Sequence, residues 1–188
     1  MLLATPLAAE DAGDFQRGLQ AFHDGDYAVA LGTWLPLAEA GDLSAMYNVA
    51  LIYDEGLGVT SDKSLALRWY RPPAEEGDVS AQFSMATIYD FGDGVAEDNS
   101  EAVRWYEMAA QQADEQAQFN LGVMYSHGEG VARDVTRAIH WYELSADQGH
   151  APAQFNLGYL YDTGDGVPED NALAMHWYRR AADAGDSD

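Results

Sequence analysis

A serine beside a histidine is the first feature of this sequence that could support chemistry. Ser126 is a potential nucleophile, and His127 could act as its general base. Because consecutive residues of a helix do not face each other, we expect these two side chains not to form a catalytic pair. The chain has no cysteine, which excludes a cysteine nucleophile, a thiolate zinc site and a disulfide framework. The sequence therefore predicts a protein that is not an enzyme.

Histidines and aspartates are the candidate metal ligands. His140 and His176 each precede a tryptophan at a position where Arg68 and Arg104 also occur, which indicates a solvent-facing helix position and not a metal pair. The aspartate triplets do not match an EF-hand loop, whose ligands alternate and end in a bidentate glutamate. N-capping and solvation explain them, and we predict no metal and no cofactor. The triplets are Asp90, Asp93 and Asp98, and Asp162, Asp165 and Asp170.

The charge of the chain is strongly one-sided. It has 188 residues, of which 32 are acidic and 9 basic, and a net charge of −23. A surface of this sign repels nucleic acid and anionic membranes, so we expect neither as a partner. Apolar residues are abundant enough for a core, and no run approaches the roughly 18 to 20 apolar residues of a membrane-spanning helix. The composition indicates a folded, acidic protein without membrane insertion.

A 36-residue repeat positions these side chains. Tryptophans recur at this interval, at Trp69, Trp105, Trp141 and Trp177. Tyrosines, Gly-x-Gly-Val runs and aspartates keep the same period. They are Tyr53, Tyr89, Tyr125 and Tyr161; the runs from Gly56, Gly92, Gly128 and Gly164; and Asp62, Asp98, Asp134 and Asp170. The pattern predicts four repeats, at 45–80, 81–116, 117–152 and 153–188.

Each repeat is predicted to contain two helices, A and B. Apolar residues at three- and four-residue intervals indicate helix A, and the Gly-x-Gly-Val run ends it, because glycine readily adopts a left-handed backbone. Asp98 and its equivalents are predicted N-caps of helix B, with Glu101 completing a capping box. Gly77 and Gly149 are predicted to end B helices, whereas one repeat starts after Ala113 instead.

A degenerate helix pair precedes the four repeats, at about 14–44. Its helices are predicted around Phe15, Gly18, Ala21 and Phe22 and around Tyr27, Ala30, Leu31 and Trp34, with the turn Asp24-Gly25-Asp26 between them. Pro36, Pro72 and Pro73 lie in the last turns of two B helices, where the missing amide should kink or shorten the helix. Residues 1–11 are predicted to be a truncated signal peptide or a disordered N-terminus, and 12–188 a single domain.

The aromatic columns are predicted to form the core. We expect the Tyr53 and Trp69 columns to be buried, with each tryptophan filling the gap between helix pairs. Small residues, including Gly122 and Gly158, should let helix A approach helix B closely. No single pair buries its own apolar face, so stability should come from stacking of neighbours into a right-handed superhelix.

The segment Ala117–Tyr142 carries a family signature. It reads Ala-x-Phe-Asn-Leu-Gly-x-x-Tyr-x-x-Gly-x-Gly-Val-x-x-Asp-x-x-x-Ala-x-x-Trp-Tyr. This motif resembles the Sel-one-like repeat (SLR) family, which is related to the tetratricopeptide repeats. The resemblance implies an all-α fold, an α/α superhelical solenoid of helix-turn-helix repeats, whose A helices line a concave surface. It also implies an adaptor or scaffold role. Some cysteine-rich members are associated with β-lactams, but this chain lacks those cysteines and has no Ser-x-x-Lys or Lys-Thr-Gly motif.

The same resemblance implies a partner-binding groove. Its predicted lining is Tyr47, Asn48, Leu51, Asp54 and Glu55; Phe83, Thr87, Asp90 and Phe91; Phe119, Asn120, Val123, Ser126 and His127; and Phe155, Asn156, Tyr159, Asp162 and Thr163. None of these residues is basic, and we expect positive charge to be confined mainly to the outside. The asparagines at 48, 120 and 156 could bind the backbone of an extended peptide or join two helices, and the sequence favours neither.

Two functions from different classes follow. The first is a protein-interaction module, an adaptor or scaffold that binds a basic or amphipathic protein or peptide in an acidic, aromatic groove. The alternative is a structural or regulatory component of a bacterial envelope or secretion assembly, acting through its terminal repeats or convex face, with self-association as one route. The expected location is periplasmic or secreted, with the cytoplasm as the alternative.

Overall fold

A computed structural model describes residues 9–185 of the chain, with the side chains from residue 13 onward. This range contains ten α-helices and no strand, so the predicted all-α helix-turn-helix fold is confirmed. The helices pair as A and B in chain order. They are α1 (Ala9–His23), α2 (Tyr27–Glu39), α3 (Leu43–Glu55), α4 (Lys63–Glu75), α5 (Val79–Phe91), α6 (Asn99–Ala110), α7 (Glu115–His127), α8 (Val135–Asp147), α9 (Ala151–Thr163) and α10 (Asn171–Gly185). Most of the segment predicted as a signal peptide or disordered terminus lies outside the described residues.

The chain divides into two compact units. Unit 1 comprises residues up to Ala81 together with Asp93–Ala96, and unit 2 comprises Gln82–Gly92 and the residues from Glu97. The core of unit 1 includes Trp34, Val49 and Ile52, and that of unit 2 includes Trp105 and Leu121, all fully buried. No helix among the described residues is long and apolar enough to cross a membrane.

Aspartate caps start the B helices as predicted. The Asp98 carboxylate accepts a hydrogen bond from the Glu101 amide at 3.1 Å, and Asp62, Asp134 and Asp170 make the equivalent bond. The predicted capping box is wrong. The Asp98 amide donates to the Tyr89 carbonyl at 2.9 Å, so it does not need Glu101, whose carboxylate instead pairs with Arg104 at 3.1 Å.

The glycine stops are confirmed. Gly56 and Gly128 are left-handed caps of A helices, with φ of +69° and +79°. Gly77 and Gly149 follow B helices with φ of +100° and +102°. At the equivalent place Ala113 also has a positive φ, +66°, and its β-carbon makes this conformation costly.

The prolines do not shorten their helices. The helices α2 and α4 run through Pro36 and through Pro72 and Pro73, and both are 13 residues long, the same length as α8. The predicted shortening is therefore wrong. Leu37 and Pro73 are buried at these turns, and such packing stabilises a helical turn that has lost an amide donor.

The prediction of the aromatic core is only partly correct. Trp105, Trp177 and Tyr125 are buried, but the other members of both predicted columns are half-buried. The tyrosine after the tryptophan is buried in three of the four repeats, at Tyr70, Tyr106 and Tyr142, and Tyr70 and Tyr142 are more buried than the tryptophans before them. The cause is the close approach of helix A. A β-carbon on Gly122 would lie 2.6 Å from the Tyr142 ring, so the small residue leaves the space that the tyrosine fills.

Candidate partner-binding surface

The predicted groove residues lie along α3, α5, α7 and α9, and their exposure divides them into two sets. The exposed set is Glu55, Phe91, His127, Phe155, Tyr159, Asp162 and Thr163. Asp54 is buried, and the remaining groove residues are half-buried. The exposed set is the part available to a partner, since its members need no rearrangement to be contacted.

The aromatic column that starts each A helix is partly structural. Tyr47 and Phe83 pack against Tyr70 and Tyr106, with ring centroids 5.5 and 5.8 Å apart. Phe119 and Phe155 make the same contact with Tyr142 and Tyr178, at 5.9 and 5.5 Å. These tilted pairs stabilise the helix pair. Phe155 is still 54% exposed, so its ring presents a free face beside this contact.

The buried tyrosines also hold the polar residues near the ends of the A helices. The hydroxyls of Tyr70 and Tyr106 each donate to the carboxylate of their own pair, Asp54 and Asp90, at 3.2 Å. Burial raises the pKa of the Asp90 carboxyl, and the Tyr106 hydrogen bond opposes this, while the nearby charges of Glu129 and Glu97 raise it further. Asp90 is therefore a carboxylate in an environment that disfavours its charge.

The asparagine column joins helices at two of its positions. Burial raises the pKa of the Tyr106 hydroxyl, while a hydrogen bond with the Asn120 side chain lowers it. Tyr142 and Asn156 repeat the arrangement. These contacts favour the helix–helix interpretation for Asn120 and Asn156, since each side chain lies beside a tyrosine of a B helix.

Two cations, Lys63 and Arg133, contact predicted groove residues and are exceptions to the expectation that positive charge lies mainly outside the groove. Lys63, at the start of α4, places its Nζ 2.7 Å from Asp54 Oδ1 and 3.2 Å from Asp93 Oδ2. Arg133, in the turn after α7, donates its Nε to the Ser126 carbonyl at 2.8 Å and pairs with Asp165 at 2.6 Å. Both cations come from positions outside the A helices, which is why inspection of the A helices alone missed them.

A cavity of about 320 Å³ opens beside Arg133 in unit 2. Its walls combine aromatic, aliphatic and polar side chains, a composition typical of a site that holds part of a ligand. The lining residues are Ser126, His127, Arg133, Tyr142, Asn156, Tyr159, Leu160 and Asp165. The groove prediction includes Ser126, His127, Asn156 and Tyr159 but not the others.

The serine and histidine approach each other, contrary to the geometric expectation. Ser126 Oγ lies 3.1 Å from His127 Nδ1, because the last turn of α7 brings both side chains back over the helix. Each of these atoms also lies within 3.0 Å of the Val123 carbonyl. A carbonyl only accepts, so His127 Nδ1 carries a proton in that bond and has no lone pair to accept the proton of Ser126. These hydrogen bonds close the last turn of α7. Ser126 and His127 therefore do not form a nucleophile–base pair.

A column of buried glutamines went unnoticed in the sequence. Gln118 and Gln154 donate to the carbonyls of Ala110 and Ala146 at 3.1 and 2.9 Å. The 36-residue recurrence of glutamine at 82, 118 and 154 was the available signal. Its role is structural, since it joins an A helix to the end of the preceding B helix.

Among the described residues, no group of three or more histidines and acidic side chains could hold a metal ion.

The repeat pattern matches a known family. The Sel1 repeat model matches residues 43–78, 79–114, 115–150 and 151–186. The chain belongs to the Sel1 repeat family. Each matched repeat begins two residues before the one delimited by the tryptophan register. Sel1-repeat proteins are generally protein-interaction modules, with a repeat scaffold that is generally non-catalytic.

Solved structures support this family membership. The chain is similar to c5321, a protective antigen of uropathogenic Escherichia coli strains with an SLR fold, at 32% identity and a TM-score of 0.86. That match covers 94% of this chain and 39% of c5321, so this chain spans about two fifths of the length of c5321. A Sel1 repeat protein from Oxalobacter formigenes is 31% identical with a TM-score of 0.81, over 98% of this chain and 75% of that protein. A comparison with curated protein sequences gives no match.

Proposed function

We propose that this Sel1-repeat protein is a non-enzymatic adaptor or scaffold whose A helices bind a basic or amphipathic segment of another protein. The observation that supports this most strongly is the pairing of exposed aromatic rings with carboxylates on the same helix ends. Phe91 is 73% exposed and Tyr159 is 51% exposed, and Asp90 and Asp162 lie within three residues of them.

Each part of this surface supplies a different component of binding. Burying one large exposed aromatic ring contributes roughly 1.5 to 3 kcal/mol, so two or three such anchors contribute about 3 to 9 kcal/mol before the cost of association is subtracted. The net charge of −23 and the carboxylates near the rings attract a basic partner and accelerate association more than they tighten the final complex. A basic amphipathic segment matches both components.

The test uses affinity capture from the native source, followed by binding measurements with the captured partner. Phe91→Ala, Tyr159→Ala and His127→Ala should each weaken binding while the circular dichroism spectrum and unfolding midpoint stay unchanged, because all three side chains are exposed. Met175→Ala is the matched control, since Met175 is 52% exposed but lies on a B helix. Replacing the fully buried Trp105 should unfold the protein.

Two results would contradict the proposal. An affinity that does not change with ionic strength would remove the electrostatic component, because exposed charges are screened by salt. Silent groove substitutions, combined with loss of binding from changes in 12–31 or 177–184, would favour the alternative of an envelope or secretion component that acts through its terminal repeats.

A further inference from the structure

The ends of three A helices meet the turn that follows the next A helix, and we call each such place a junction. At the first junction, in unit 1, Asp54 faces Asp93, and the Lys63 ammonium lies between the two carboxylates. Lys63 Nζ contacts Asp54 Oδ1 while the Tyr70 hydroxyl occupies Oδ2. The two carboxylates, the tyrosine and the cation thus form a complete charge network.

The third junction, in unit 2, also contains a cation. Arg133 bridges the Ser126 carbonyl at the end of α7 and the Asp165 carboxylate in the following turn. Arg133 comes from a different position of the repeat than Lys63, yet it joins the same two parts of the scaffold. Two different positions of the repeat therefore place a cation at a junction of this chain.

The second junction, also within unit 2, has two acidic residues at the positions of the two carboxylates of the first junction. Asp90 and Glu129 stand at the repeat positions of Asp54 and Asp93. The turn that contains Glu129 lies against the start of α6, where Ser100 Oγ is 3.4 Å from the Gly130 carbonyl, and the charge of Glu129 raises the pKa of Asp90. The Tyr106 hydroxyl binds Asp90 Oδ2 at 3.2 Å, as Tyr70 binds Asp54. Within residues 13–185, no ion pair involves either Asp90 or Glu129.

The first and third junctions take their cations from the repeat positions of Lys63 and Arg133, and at the second junction neither position holds a basic residue. Asn99 replaces the lysine and Glu97 replaces the arginine. Asn99 donates its Nδ2 to Glu97 Oε1 at 2.7 Å, so it is directed to that carboxylate. Glu97 adds a third negative charge near Asp90.

We propose that the second junction binds a lysine or arginine side chain of the partner, held between Asp90 and Glu129 as Lys63 is held between Asp54 and Asp93. This inference rests on the proposed function and specifies where the basic group of the bound segment lies. The partner cation relieves the repulsion among three carboxylates, which the chain does not neutralise itself.

The first experiment needs no partner. Asn99→Lys places a lysine at the repeat position of Lys63, and carboxyl NMR follows the titration of Asp90. The pKa of Asp90 should fall, because an ammonium then pairs with its charged form. The control Gln111→Lys adds the same charge at the exposed end of α6 and should leave this pKa in place. An Asp90 titration unaffected by Asn99→Lys overturns the proposal.

The second experiment measures specificity with three synthetic amphipathic peptides that differ only in a central lysine, norleucine or glutamate. Wild-type protein should prefer lysine over norleucine by roughly tenfold at low salt, as expected for a hydrogen bond between charged groups. The preference should disappear in Asp90→Asn/Glu129→Gln and in Asn99→Lys. It should persist in Glu39→Gln/Glu76→Gln, which removes two exposed carboxylates from B-helix ends.

The outcomes separate this inference from the proposed function. Binding with an unchanged lysine preference in the junction variants overturns the inference and leaves peptide binding intact. No binding of any peptide by the wild-type protein contradicts the proposed function itself. Saturable binding of Ca²⁺ at Asp90 and Glu129, followed by NMR, overturns the choice of occupant in favour of a metal ion.

Discussion

Exchanging alanine and glycine at the ends of two B helices should change the stability of the protein in opposite directions. Ala113 has a φ of +66°, and Gly149, one repeat later, has +102°. The two residues close their helices with the same bond: each amide donates to the carbonyl three residues earlier, at 3.0 Å for Ala113 and 3.1 Å for Gly149. A β-carbon on Gly149 would touch nothing within 4 Å. The change in the free energy of unfolding therefore reports the cost of the left-handed backbone conformation and not a change in packing.

The magnitude follows from two opposing effects. A left-handed conformation costs an alanine about 1 to 2 kcal/mol, and glycine in its place loses about 0.4 to 1 kcal/mol to the greater freedom of the unfolded chain. Ala113→Gly should therefore raise the free energy of unfolding by about 0.5 to 1 kcal/mol, and Gly149→Ala should lower it by a similar amount. For a domain of this size the unfolding midpoint should move by about 1 to 4 °C in either direction.

Urea unfolding followed by circular dichroism measures both changes, provided that the denaturant slope stays constant. The double variant Ala113→Gly/Gly149→Ala should return close to wild-type stability, because the two backbone effects are local and independent. A loss of stability in Ala113→Gly would refute the reasoning, since it would mean that the alanine is not strained at this position.

Two further predictions concern helix packing and charge. Gly122→Ala should destabilise the protein by about 1 to 3 kcal/mol, because the new methyl group would overlap a tyrosine ring of the neighbouring helix. Gly32→Ala is the matched control, since its β-carbon would meet nothing within 4 Å, and it should stabilise the protein. Asp54→Asn should destabilise the protein at neutral pH, because Lys63 loses a charged partner at 2.7 Å. Asp90→Asn should stabilise it at neutral pH: the raised folded-state pKa of Asp90 means that stability is lost as pH rises through that pKa. Thermal unfolding should show this gain shrinking as pH falls through the raised pKa and disappearing once pH is below the ordinary aspartate pKa.

The sequence was sufficient to predict the repeated elements but not the packing between them. Three predictions are confirmed: the 36-residue repeat that includes Trp105, the N-cap at Asp98 and the helix end at Gly128. Each can be read from the order of residues along the chain, without knowledge of contacts between helices. The burial of Tyr106 was missed, because helical spacing does not show which of two adjacent aromatic residues faces the small residues of helix A. Burial at that level depends on tertiary contacts.

Charge placement was harder to predict for a related reason. Mapping groove positions onto the A helices gave a surface without cations, yet Lys63 and Arg133 reach that surface from a B helix and from a turn. Long side chains carry their charge several ångströms from the backbone. A residue outside a predicted face can therefore determine its electrostatics, and only the side-chain positions reveal it.

The repeated scaffold makes it possible to compare binding chemistry within one chain. The Tyr106 contact with Asp90 matches the Tyr70 contact with Asp54 at the same 3.2 Å, so the two junctions share a frame and differ in whether a cation is present. The difference depends on residues such as Asn99, which do not contribute to the fully buried core. Replacing a cation with a neutral residue at such a position changes the surface while the hydrogen bond that holds the carboxylate remains. Under the proposal that the second junction binds a basic side chain of the partner, partner specificity can therefore change one junction at a time without loss of the fold.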